Sequence, residues 1–256
     1  MLDRIGRWLA DPVRDHTVSG PDAGPYALAE GPDGALWFTL VHQGAIGRRD
    51  AAGHLTVHPV GAGPTVITQG PDGALWFTEY GTHRIGRITV DGEVSAFEPP
   101  TAGGGPFGIA PGPDGALWFT LSAADRIGRL TTSGEFTEYP APGAFPSALV
   151  AGPDGAMWCT LNQAGAIGRI TVDGTVTEYP LPDRQARPHA LTTGPDGALW
   201  FTEWGSGRVG RLTTDGRFTG YDLPRPDCEP HGIAAYRGAV WCALETGSLA
   251  AVEVSR

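Results

Sequence analysis

Six tryptophans recur along this chain at a nearly fixed interval: Trp37, Trp76, Trp118, Trp158, Trp200 and Trp241, separated by 39, 42, 40, 42 and 41 residues. Each sits in a variant of one text: a Pro, a variable residue, a short apolar run, "GPDGALWFT", then "RIGRITVDG" and "TEYP". A period of that length is the size of one propeller blade. In the unit 106–140, Gly-bearing turns separate four runs rich in β-branched and aromatic residues, which predicts strands a (Phe107 to Ala110), b (Ala116 to Leu121), c (Arg126 to Thr131) and d (Glu135 to Tyr139). One such sheet cannot bury both its faces, so the units must pack face to face with the strand b Trp between them.

The expectation is an all-β chain, a single β-propeller domain over 1–256 built of four-stranded antiparallel blades. Strands a and b pair six times, at Pro25, Pro64, Pro106, Pro146, Pro188 and Pro230, which predicts six blades. The last copy ends in "SLAAVEVSR", a strand c without a strand d, while "VRDHTV" near the N-terminus is a strand d without a preceding blade. Pairing them would close the ring and remove its open edges. "DRIGR" at 3–7 repeats "DRIGR" at 125–129, so residues 1–11 are a terminal extension or a blade remnant.

Composition narrows the function. Gly and Pro make up 39 and 23 of the 256 residues, but their fixed places in the repeat identify them as turns. A formal charge of -10, with no local cluster of Lys and Arg, disfavours nucleic acid and membrane surfaces as partners. Three cysteines, an odd number, argue for a reducing compartment, and Cys159 and Cys242 replace a repeat Phe as small buried residues. The first residues carry charges throughout, and no stretch reaches the ~18 apolar residues that span a bilayer. A cytoplasmic monomer is expected.

Equivalent positions of successive blades form a ring about the axis, so differences within one column report on one face. After the Pro of strand a stand Tyr26, Thr65, Phe107, Ser147, His189 and His231. Just before it stand Gly24, Gly63, Gly105, Phe145, Arg187 and Glu229, and after strand b come Val41, Tyr80, Ser122, Asn162, Trp204 and Glu245. If the last hairpin turns about Gly238, His231 faces Glu245, and Glu229 lies on the same side. His189 enters from the neighbouring blade. Isolated histidines and exposed glutamates are usually structural or solvated, and His16, His42, His54, His58 and His83 are assigned that role. For Glu229, His231 and Glu245 that explanation weakens, because other blades need only small or apolar residues there.

Two neighbouring carboxylates repel unless a cation such as Mg²⁺ takes their oxygens. A neutral imidazole beside them suits removal of a proton α to a carbonyl, the metal stabilising the resulting enolate. These residues resemble those of the virginiamycin B lyase family, the streptogramin B lyases, which linearise cyclic depsipeptide antibiotics and belong to antibiotic resistance. The resemblance runs from "GPYALAEGPDGALWFT" to "EPHGIAAYRGAVWCALE" and is most specific in "ARPHALTTGPDGALWFTEWG" and "EPHGI". It implies a carbon–oxygen lyase opening the lactone ester by β-elimination, with His231 as proton acceptor, Glu229 and Glu245 as Mg²⁺ ligands, and His189, Tyr26 and Trp204 contacting the substrate. Family members have seven blades, against the six expected here. Leu40, Leu121 and Leu161 stand where the family often has Glu, which predicts a less polar middle of the ring.

Two other functions fit the same repeats. A metal-dependent sugar-lactone hydrolase would spread its carboxylate and Asn ligands over several blades. A non-catalytic propeller scaffold would bind no divalent metal.

Overall fold

The computed structural model describes residues 17–254, apart from 19, 21, 62 and 142–144. Blade 1 comprises β1 (Pro25–Glu30), β2 (Leu36–Leu40), β3 (Ala45–Arg49) and β4 (Leu55–Pro59); blade 2 comprises β5 (Pro64–Gln69), β6 (Leu75–Glu79), β7 (Arg84–Ile88) and β8 (Val94–Phe97). Blade 3 contains β9 (Pro106–Pro111), β10 (Leu117–Leu121), β11 (Arg126–Leu130) and β12 (Phe136–Pro140), each end within one residue of the expectation. Blade 4 follows with β13 (Pro146–Ala151), β14 (Met157–Leu161), β15 (Ala166–Ile170) and β16 (Val176–Pro180), and blade 5 with β17 (Pro188–Thr193), β18 (Leu199–Glu203), β19 (Arg208–Leu212) and β20 (Phe218–Asp222). Among the described residues the last has three strands, β21 (Pro230–Tyr236), β22 (Ala239–Leu244) and β23 (Ser248–Glu253). All six are antiparallel meanders, and the first strand of each lies against the first strand of the next, from β1 on β5 to β17 on β21. This is the β-propeller architecture.

The repeat text explains the blade. In "GPDGALW" the Asp accepts the indole N–H of the Trp four residues on, as Asp114 does from Trp118 at 3.0 Å, and a hydrogen bond at 2.6 Å from Arg129 Nε. Burial alone would raise the Asp114 carboxyl, but these donors outweigh it and hold its pKa below the ordinary range. The Trp118 ring stacks on Tyr139 at 5.6 Å. Gly128 of "RIGR" is required because a Cβ there would stand 2.1 Å from the Phe119 ring.

Strand a of every blade is bulged between its Pro and the third residue after it. In blades 1 to 5 a freed N–H is taken by the strand b threonine, whose own hydroxyl hydrogen goes to a carbonyl of the next blade. Thr120 Oγ1 thus accepts from Gly108 at 2.8 Å and donates to Ser147 at 2.9 Å. One hydroxyl therefore satisfies a buried backbone group on each side of a blade boundary.

At the two ends of the array the pattern changes. Leu28 of blade 1 is 69% exposed, whereas its equivalents Ile67, Ile109, Leu149 and Leu191 are 5%, 4%, 5% and 6% exposed. Trp241 of blade 6 is only half-buried, while the other five repeat tryptophans are fully buried. Among the described residues, no blade covers these two faces. The closing strand expected from "VRDHTV" lies outside the described residues except for Thr17 and Val18, which are not in a strand; Val18 packs on the cluster of Phe38 and Leu40. Residues 1–11 also lie outside the described residues.

Leu40, Leu121 and Leu161 correct one expectation, since all three are fully buried within blade cores. Glu79 and Glu203, in the same column, are 1% exposed. Strand b alternation turns this column between the sheets, so it does not set the polarity of the axial channel.

Candidate metal and base site

Glu229, His231 and Glu245 come together at one end of blade 6, with a potential ligand atom of each within 4.8 Å of the others. Among the described residues this is the one His, Cys, Asp and Glu group of that kind. His231 Nε2 lies 2.8 Å from Glu245 Oε1, although the contact departs from hydrogen-bond alignment and the buried nitrogen has no hydrogen-bond partner.

The route to this contact differs from the one expected. Tyr236 pairs with Ala239 across a two-residue turn of Arg237 and Gly238, whose φ values of 50° and 85° fit the left-handed hairpin turn. The hairpin is therefore not centred on Gly238. The bulge between Pro230 and Ile233 then leaves Pro230 opposite Leu244. Glu245 donates its N–H to the carbonyls of Cys228 (3.1 Å) and Glu229 (3.3 Å), so its backbone faces Glu229, and the His231 side chain reaches it from two residues further on.

The neighbouring blades fix both histidines. Thr202 Oγ1 donates to the His231 carbonyl at 2.9 Å, and Thr160 Oγ1 to the His189 carbonyl at 2.9 Å. The two imidazoles meet edge to face, with centroids 5.2 Å apart. Burial, and secondarily the charge His231 can carry, holds His189 below the usual imidazole pKa, which favours its neutral form. Trp204 lies 6.2 Å from His231 and walls a cavity of about 1010 Å³ shared with Glu229.

Tyr26 stands apart from this group. It is 57% exposed and lines a more apolar cavity of about 650 Å³ with Val41, Tyr80, Phe107 and Phe145. Of the histidines expected to be structural, His58 stacks on Trp37 and His54 pairs with Asp50, while His16 lies outside the described residues.

The donor set fits a hard divalent cation: two carboxylates supply oxygens, and no Lys or Arg among the described residues is paired with either. His231 Nε2 faces the Glu245 carboxylate at 2.8 Å, so imidazole and carboxylate oxygens present their polar atoms to one space.

Two features behind Trp204 escape a search for unusual site residues. Glu203 is buried; its Oε2 accepts from Ser206 Oγ at 2.8 Å, its Oε1 has no hydrogen-bond partner, and burial pushes its pKa up against the pull of Ser206 and Arg208. Arg187 lies over the Trp204 ring, with Cζ 5.5 Å from its centroid. The signal available for Arg187 was a charged residue in a column that begins with three glycines.

The profile of the virginiamycin B lyase family matches residues 11–179 and 164–252. A virginiamycin B lyase of Streptomyces coelicolor is 74% identical over 137 residues, 53% of this chain and 46% of that protein, so the match spans about half the relative's length. A catalytically inactive histidine-to-alanine variant of the Staphylococcus aureus virginiamycin B lyase, in a crystal structure with quinupristin, superimposes with a TM-score of 0.86 at 33% identity, covering 94% of this chain and 88% of that one. A Xanthomonas campestris gluconolactonase shares the fold alone, with a TM-score of 0.65 at 15% identity over 89% of this chain and 85% of that one.

Proposed function

The chain belongs to the virginiamycin B lyase family, and on that premise we propose that it is a Mg²⁺-dependent carbon–oxygen lyase that opens the lactone ester of a streptogramin B type cyclic depsipeptide by β-elimination. The observation that carries this proposal is the convergence of Glu229, His231 and Glu245, with His189 edge-on to His231 from the adjacent blade.

His231 is the base. Its Nε2 is buried, free of hydrogen bonds and beside a carboxylate that stabilises the imidazolium formed when it takes the α-proton of the threonyl residue. Glu229 and Glu245 hold the metal. Bound Mg²⁺ would supply positive charge against a substrate carbonyl and the negative charge developing on its oxygen. His189, neutral by virtue of its burial, offers a hydrogen bond to the substrate, and Trp204 gives it a flat wall. Tyr26 and the aromatic residues around it form an apolar surface for the bulk of a macrocycle. The likeness to the Staphylococcus aureus enzyme, studied with quinupristin, supports this substrate class.

The sugar-lactone hydrolase alternative is less well supported, because the distinctive side chains gather on two adjacent blades. Turnover of a streptogramin B with Mg²⁺ by the wild type and His231→Ala tests the proposal. Loss of at least ~100-fold in kcat is expected; equal rates would remove His231 from the base role.

A further inference from the structure

Arg187 stands before the Pro that opens its blade, the position Glu229 holds one blade later. The backbone at this position is left-handed in every blade: φ is 62° at Gly24, Gly63 and Phe145, 60° at Gly105, 49° at Arg187 and 43° at Glu229. Glycine adopts such angles freely, whereas a residue with a Cβ is strained there. Three blades use glycine. Arg187, like Glu229, keeps a long charged side chain at a place where the fold has a less strained solution, which points to a use for that side chain.

The Arg187 surroundings say what the use is. Its guanidinium stacks on Trp204, whose ring lies next to His231, and its carbonyl accepts the Trp204 N–H at 3.2 Å. Arg187, Trp204 and Glu229 line one cavity. Arg184, on the same wall, is paired with Glu178 at 3.1 Å, but Arg187 has no ion-pair partner among the described residues. It is the cation of this cavity left to meet an anion.

We propose that Arg187 binds the carboxylate that separates when the ester breaks. This inference rests on the lyase proposal. In the elimination the α-proton passes to the base, the C–H electron pair becomes the new carbon–carbon double bond, and the Cβ–O pair leaves with the ester oxygen. A carboxylate anion thus appears where the ground state had a neutral ester, and a cation placed there stabilises the charge as it develops. A guanidinium presents paired N–H donors that match two carboxylate oxygens, and stacking on an indole orders its plane while leaving those edges open.

Calorimetric titration with the linearised streptogramin B acid and with its C-terminal amide, which lacks the charge, tests this in the wild type, Arg187→Gln and Arg187→Lys. The wild type should bind the acid about ten-fold more tightly than the amide or better, as a charge-assisted hydrogen bond would give. Arg187→Gln should bring the ratio to about one, with Arg187→Lys in between. An unchanged ratio in Arg187→Gln overturns the inference. So does an equal weakening of both ligands, since Arg187 would then act only by positioning Trp204. If neither these ligands nor the cyclic depsipeptide bind the wild type, the lyase proposal falls together with the inference, an outcome distinct from the failure of Arg187 alone.

Discussion

The carbonyl of His231 is held from across a blade boundary by the hydroxyl of Thr202, at 2.9 Å. The same hydroxyl accepts the N–H of Ala190 at 3.0 Å, one residue after His189. A single threonine therefore ties together the two strands that present the site's imidazoles. Its counterpart Thr78 makes the equivalent bridge, from Val66 to Phe107 beside the Tyr26 cavity, away from the two imidazoles.

Thr202→Val should remove the bridge and leave the volume almost unchanged. We expect a stability loss of about 1–3 kcal/mol from the unsatisfied backbone groups, together with about a ten-fold fall in kcat from misplacement of His231. Thr78→Val should cost similar stability and leave kcat near wild type. Denaturant unfolding and steady-state kinetics on both variants check the distinction, and equal kinetic losses would show that the bridge does not position the site.

Glu229 sits at φ 43°, so Glu229→Gly should relieve backbone strain while deleting a carboxylate of the site. The strain of about 1 kcal/mol is partly offset by the greater unfolded-state freedom of glycine. The expected Tm is unchanged or higher by about 2–4 °C. Titration with Mg²⁺ or Mn²⁺ should at the same time show affinity reduced at least about ten-fold relative to wild type. A lower Tm with metal binding retained would contradict both parts.

Asp33, Asp72, Asp114, Asp154 and Asp196 all have carboxyl pKa values held below normal, burial being outweighed by their Trp and Arg donors. A depressed folded-state pKa gives stability that is present above the unfolded value of about 3.9 and lost as pH falls through the folded one. Melting curves should therefore be insensitive to these groups above about pH 5 and fall steeply below about pH 4. Asp114→Asn should cost about 1–3 kcal/mol at neutral pH, with the penalty shrinking in acid. A penalty that stays constant with pH would mean that the carboxylate charge plays no part.

The blade was legible in the sequence because its determinants are local. Alternation, Gly-bearing turns and the Trp period place each strand of blade 3 within one residue. The proximity of His231 to Glu245 was also legible, but for an incomplete reason: the turn takes two residues and a bulge shifts the register, neither of which symmetry about one glycine can reveal. Strand direction likewise hid the burial of Leu40, which packs with Ala23, Phe38 and Ala45, and of Glu203. Arg187 went unassigned because the meaning of its column lies in a backbone angle. Once the three glycines are seen to mark a left-handed position, the charged residues among them become conspicuous.

The most direct measurement is the mass of the product formed from a streptogramin B deuterated at the threonyl α-carbon. Elimination with His231 as base sends that deuteron to solvent, so the linear product should lack it, carry a double bond and contain no added water. A product that keeps the deuterium and gains the mass of one water would mean hydrolysis, and the α-proton would play no part in the chemistry.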